Sequence, residues 1–186
     1  VLDAAPGQDP RELYEVLERI KAVLTQQRYH LINLSLGPIL PIDDDEVHAW
    51  TAVIDELLAT RDTLATIAVG NTGESDAAAG LNRIQVPADC VNALAIGACD
   101  SPDASWQRAT YSSIGPGRSP GLVKPDLVAF GGSLARPFLV IGEGDPPTLE
   151  PIGGTSFAAP SALRLGAGVK AHFGDSLDML AIRALL

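Results

Sequence analysis

Ser156, in the stretch Gly153-Gly154-Thr155-Ser156-Phe157-Ala158-Ala159-Pro160, has the surroundings of a nucleophile. Two glycines permit positive φ and close backbone approach. A Thr-Ser pair follows, either member of which suits an N-cap, and the small, apolar run from Ser161 to Val169 extends the segment as a buried helix. A serine at the positive end of a helix, with no bulky neighbour before it, presents its hydroxyl to a carbonyl and favours negative charge nearby. The same letters also describe a plain N-cap. Acyl transfer further needs a donor aimed at the tetrahedral oxyanion, and a carboxamide donates without carrying charge. Asn71, in Ala68-Val69-Gly70-Asn71-Thr72-Gly73, follows a strand end, where ligand-facing groups gather in parallel sheets. Gly-Asn after a strand is equally a turn signal.

The elements that would position these two residues are legible in outline. Leu13, Val16, Leu17, Ile20, Val23 and Leu24 have helical spacing within 11–27, with Asp9-Pro10 as cap and first turn. Leu31 to Gly37 reads as a buried parallel strand ending in Gly-Pro. The acidic cluster Asp43-Asp44-Asp45-Glu46 reads as the start of a helix through Val47, Trp50, Val53, Ile54, Leu57 and Leu58, since acid near a helix N-terminus is favourable. Strands follow at 64–69, 92–98, 127–130 and 138–141. The segment from Gly142 to Pro151 reads as linker-like, and helices are expected from Ser156 and over 177–186. Strand, helix, strand in this order predicts a parallel βαβ arrangement.

Composition narrows the class. The chain has 186 residues, 46% hydrophobic and 19% charged, enough for one domain with a real core. A formal net charge of −10 argues against a nucleic-acid groove, which needs clustered Lys and Arg. No apolar run is long enough to span a membrane, and no secretory leader is visible. The first residue is not Met, and the chain opens on what reads as the end of a strand, so an excised fragment is expected. Cys90 and Cys99 flank a predicted strand that would hold them about 25–30 Å apart. That is far beyond disulfide reach, so two free, buried thiols are expected, which favours a reducing compartment and leaves localisation open.

Gly154 to Pro160 resembles the Gly-Thr-Ser-hydrophobic-Ala-Ala/Ser-Pro signature of subtilisin-like serine proteases. Other segments match that family in the same order. Ile32-Asn33-Leu34-Ser35-Leu36-Gly37 is similar to Ile-Asn-Met-Ser-Leu-Gly, and Ala68 to Gly73 to Ala-Ala-Gly-Asn-x-Gly. Ala93 to Ala98, Ala109 to Gly115 and Lys124 to Ala129 match three further segments. The resemblance implies an α/β three-layer sandwich with a mainly parallel sheet and helices on both faces, lacking its N-terminal part, so that residues 1–186 form the C-terminal two-thirds of one peptidase domain. It implies Ser156 as nucleophile and Asn71 as oxyanion donor. Ser35, Leu36 and Gly37, with Ala68, Val69 and Gly70 opposite and Thr155 beside the nucleophile, would bind a peptide or protein substrate by strand addition and a side-chain pocket. No cofactor is implied. Calcium, used by many relatives, has no legible ligand loop here, and no metal site is expected.

A serine nucleophile also wants a histidine base oriented by a carboxylate. The family carries these in Asp-Ser/Thr-Gly and His-Gly-Thr/Ser segments, and neither occurs here. His30, His48 and His172 read as surface or structural residues. Ser161 stands where relatives commonly have His, a position outside the triad. The expectation is therefore half of an active site, inactive alone, with self-association through an uncovered sheet edge. The competing reading is a catalytically silent module that binds peptides.

Overall fold

The computed structural model describes residues 10–186, with side chains from Leu13 onward. The Asp9 cap and the strand end expected at the N-terminus lie outside the described residues. Four strands form a parallel sheet in the order β1-β2-β3-β4: β1 (Leu31–Leu34), β2 (Leu64–Ala68), β3 (Leu94–Cys99) and β4 (Leu127–Phe130). Strand periodicity sends alternate residues to opposite faces, and two cores result. Ala65, Ile67, Val69 and Ala95 pack beneath α1 (Pro10–Gln26) and α2 (Ala49–Ala59), against Leu17, Ile20, Trp50 and Ile54. Leu64, Leu94, Ile96 and Ala98 pack against α3 (Thr155–Phe173) and α4 (Met179–Leu185), through Ala158, Ala159, Ala162 and Ile182. The result is the expected three-layer α/β sandwich.

Small residues set how closely the layers approach. Three alanines and Gly166 form the buried stripe of α3. A methyl group at Gly166 would collide with the Leu64 side chain, so α3 lies directly on β2.

Three local expectations need correction. The acidic cluster does not begin α2. His48 is the N-cap, its Nδ1 accepting from Trp50 N at 3.2 Å, and the acids lie outside the helix. Asp44 instead pairs with Arg83 (2.8 Å), which holds its carboxyl below the usual carboxylate range. The stretch read as a linker runs into β6 (Leu149–Ile152), which pairs antiparallel with β5 (Phe138–Ile141) as a separate two-stranded ribbon. At α3 the N-cap is Gly154, so Thr155 and Ser156 stand inside the first turn. Cys90 and Cys99 are free and buried, as expected. No described helix is long and apolar enough to cross a membrane.

Candidate active site

The carboxyl ends of β1 and β2 and the N-terminus of α3 meet around a cleft of about 270 Å³. One wall is Ser35, Leu36 and Gly37, where the chain leaves β1. The opposite wall is Ala68 and Gly70, and Asn71, Thr155 and Ser156 close the end. Of the residues singled out in the sequence, all but Val69 line this space. Val69 is fully buried in the α1/α2 core, and its backbone is committed, its N–H to Ile96 O (3.2 Å) and its carbonyl to Gln85 N (2.8 Å). It holds the wall in place without facing the cleft.

Asn71 reaches the start of α3 from a separate crossover. Its Oδ1 accepts from Thr155 N (2.9 Å) and from Thr155 Oγ1 (3.0 Å). Because a backbone N–H can only donate, the carboxamide oxygen must face it, which leaves Nδ2 as a donor beside Gly154 and the cleft. Asn71 thus caps one orphan N–H of α3. Thr155, 1% exposed, also accepts from Gly70 N at 3.3 Å, so its hydroxyl serves the Asn71 loop. Gly70 itself has φ +101°, the left-handed region that favours glycine.

Ser156 is half-buried. Neither its hydroxyl nor its N–H has a hydrogen-bond partner among the described residues, so both stand free at the helix's positive end. The turn before it is pinned by Gly154 N donating to Gly131 O at 2.9 Å. Phe157 stacks on Phe138 of the ribbon, ring centroids 5.0 Å apart.

Pro160 has no N–H to offer the Ser156 carbonyl, its i−4 partner in the helix. That carbonyl instead accepts from Ser35 Oγ at 3.1 Å. Ser35 Oγ in turn accepts from Asn33 Nδ2 (3.0 Å), and Asn33 Oδ1 accepts from Thr66 Oγ1 (3.1 Å). This polar chain ties β2, β1 and α3 together under the cleft. The sequence reading missed Asn33, Thr66 and the part played by Pro160. The polar letters at alternate positions of Ile32-Asn33-Leu34-Ser35 were the available signal.

Beyond β1 the backbone N–H and C=O groups of Leu36 and Gly37 have no backbone partner among the described residues, and the Leu36 side chain is 40% exposed. A Cβ at Gly37 would come within 2.5 Å of Val86 O, so only glycine lets this wall approach. Among the described residues, no charged side chain lines the cleft. His30 and His172 are exposed, His48 caps α2, and none reaches Ser156. No cluster of three or more His, Cys, Asp or Glu among the described residues is placed to hold a metal ion.

A parallel sheet layered between helices, with a serine at one helix N-terminus and a carboxamide fixed beside it, defines a subtilisin-like α/β protein. The subtilase family profile matches residues 4–186, and the chain belongs to that family. Among solved structures, the fold is similar to a cold-adapted subtilisin-like serine proteinase (TM-score 0.66, 20% identity), covering 100% of this chain and 56% of that one. It is also similar to the S41 psychrophilic protease (TM-score 0.61, 22% identity, 99% and 56% covered) and to sphericase (0.61, 22%, 94% and 53%). The chain therefore spans a little over half the length of these structures. No curated protein matches it.

Proposed function

We propose that this chain supplies the nucleophile and oxyanion half of a subtilisin-type serine endopeptidase, and that the base and its orienting carboxylate come from outside these 186 residues. The orientation of Asn71 carries the reading. Thr155 takes the carboxamide oxygen, so the amide donor is left facing the space that Ser156 also lines.

A peptide would add as a strand along Ser35 to Gly37, with the side chain preceding the scissile bond between that wall and Ala68 to Gly70. Ser156 Oγ attacks the carbonyl carbon and gives its proton to the external base. The oxygen becomes an oxyanion held by Asn71 Nδ2 and the free Ser156 N–H. The C–N bond then breaks, the amine leaves with that proton, and water resolves the acyl-enzyme.

Fluorophosphonate labelling tests both halves of the proposal. The full-length protein should label at Ser156, and the isolated chain should label at no more than a small fraction of that rate. Equal rates would show that no outside base is needed. No labelling of the full-length protein would remove Ser156 as nucleophile.

A further inference from the structure

Gln85 belongs to no motif in the sequence reading, yet it lines the same cleft and is only 6% exposed. Its backbone is fixed by Gln85 N donating to Val69 O (2.8 Å) and by Ala88 N donating to Gln85 O (2.7 Å). The side chain packs flat against Gly70, where any Cβ would collide with Gln85 Cγ. Nε2 donates to Thr72 Oγ1 (2.9 Å) and to the Arg83 carbonyl (3.3 Å). A carbonyl can only accept, so the amino group must face Arg83 and the orientation of the amide is settled. Oε1 is then left buried with no partner among the described residues.

A buried acceptor without a donor is costly. Ala68, Gly70, Val86 and Leu36, which line the same cleft, bring no side-chain donor, and Thr72 Oγ1 is occupied by Gln85 and by Ser113 Oγ (2.9 Å). The terminal torsion of a glutamine is soft, so rotation about χ3, which loosens the long 3.3 Å bond from Nε2 to the Arg83 carbonyl, turns Oε1 toward an incoming donor.

We propose that Gln85 determines specificity in this cleft, selecting substrates whose side chain before the scissile bond is an uncharged hydrogen-bond donor of the primary amide class. The proposal rests on the function assigned above. An amide N–H satisfies the orphaned oxygen, whereas an apolar side chain of the same shape leaves it unpaired. Sites built to hydrogen-bond a substrate group reject the analogue that lacks it far more strongly than apolar pockets sort apolar groups. An ammonium would lose its water without gaining a carboxylate, because none of the described residues lining the cleft carries one.

The test uses the full-length protease and peptides that differ only at that position, carrying Asn, isosteric Leu, or Lys. Wild type should show kcat/KM at least tenfold higher for Asn than for Leu. Gln85→Leu should erase or invert that ratio, and Gln85→Glu should move preference toward Lys. Ratios within one variant are independent of how much of it folds, and the Glu variant keeps the test alive if the Leu variant is insoluble. Labelling of Ser156 together with a wild-type preference for Leu, or an Asn/Leu ratio unmoved by Gln85→Leu, overturns this assignment alone. Absence of both cleavage and labelling overturns the proposed function and this inference with it.

Discussion

The Ser35 hydroxyl donates to the Ser156 carbonyl across 121 positions of sequence, and it does so because Pro160 cannot. The proline that closes the signature therefore opens a bonding site on the backbone of Ser156, and the segment that forms the cleft wall fills it. The cleft wall and Ser156 are one mechanical unit.

Ser35→Ala should leave that carbonyl short of a donor and destabilise the chain by about 1 kcal/mol, the usual net worth of one such bond. Pro160→Ala supplies a helical N–H to the same carbonyl, so in that background the Ser35→Ala loss should shrink toward zero. Urea unfolding of the four proteins forms a double-mutant cycle. Equal losses in both backgrounds would mean that the two residues do not share this acceptor.

Asn71 has two separable jobs, because Oδ1 holds Thr155 while Nδ2 faces the cleft. Asn71→Asp keeps an acceptor for Thr155 N and removes the donor. Asn71→Ala removes both. Under the proposed function, each should lower the kcat of the full-length protein by about 10²–10³ with little change in KM, the range seen when one oxyanion donor is lost in acyl-transfer enzymes, subtilisin included. Only Asn71→Ala should also weaken the capping of α3, by about 0.5–2 kcal/mol. Thermal unfolding of both variants separates the roles, and equal destabilisation would contradict the capping assignment.

Most helices and strands were legible in local signals, apolar runs at strand or helix period, whereas the layering and the roles given to Ser156 and Asn71 came from the resemblance to a known family, since the local letters fit a plain N-cap and a turn equally well. It fell short where an element depends on a distant partner. β6, Leu-Glu-Pro-Ile, has all four residues exposed and no alternation to betray it, and it is a strand only because β5 pairs with it. The acids at 43–46 satisfy a helix-start rule, but Arg83 draws Asp44 away and His48 takes the cap. Gln85 sits in a loop of ordinary letters, and its unpaired oxygen follows from where Thr72 and Arg83 fall in space.

Among the described residues, β1 is an edge of the sheet and pairs only with β2. Beside it runs a groove of about 450 Å³ lined by Ile20, Val23, Leu24, Leu31 and Ile32. Unpaired strand edges next to apolar surface invite another strand, so we propose that the isolated chain self-associates there through a second copy. Sedimentation should show a concentration-dependent increase in mass, reduced by Ile32→Lys. Monomeric behaviour across the accessible concentration range would refute this.

The two thiols should differ in reactivity although both are free and buried. Cys90 is 0% exposed, and burial, reinforced by the negative charges of Asp55 and Asp89, pushes its thiol well above the ordinary range. Burial also raises Cys99, but its edge meets the large groove beside β4, lined by Trp106, Phe130 and Phe138. The thiolate is the reacting species. With a disulfide reagent at mildly alkaline pH, Cys99 should react first, and Cys90 only when the chain unfolds. Because both folded pKa values are raised, this contribution to stability is complete below the unfolded thiol value and is lost as pH rises through the folded one. Mass spectrometry of the labelled peptides over time gives the order, and prompt labelling of Cys90 in the folded chain would show that the α1/α2 core is not closed around it.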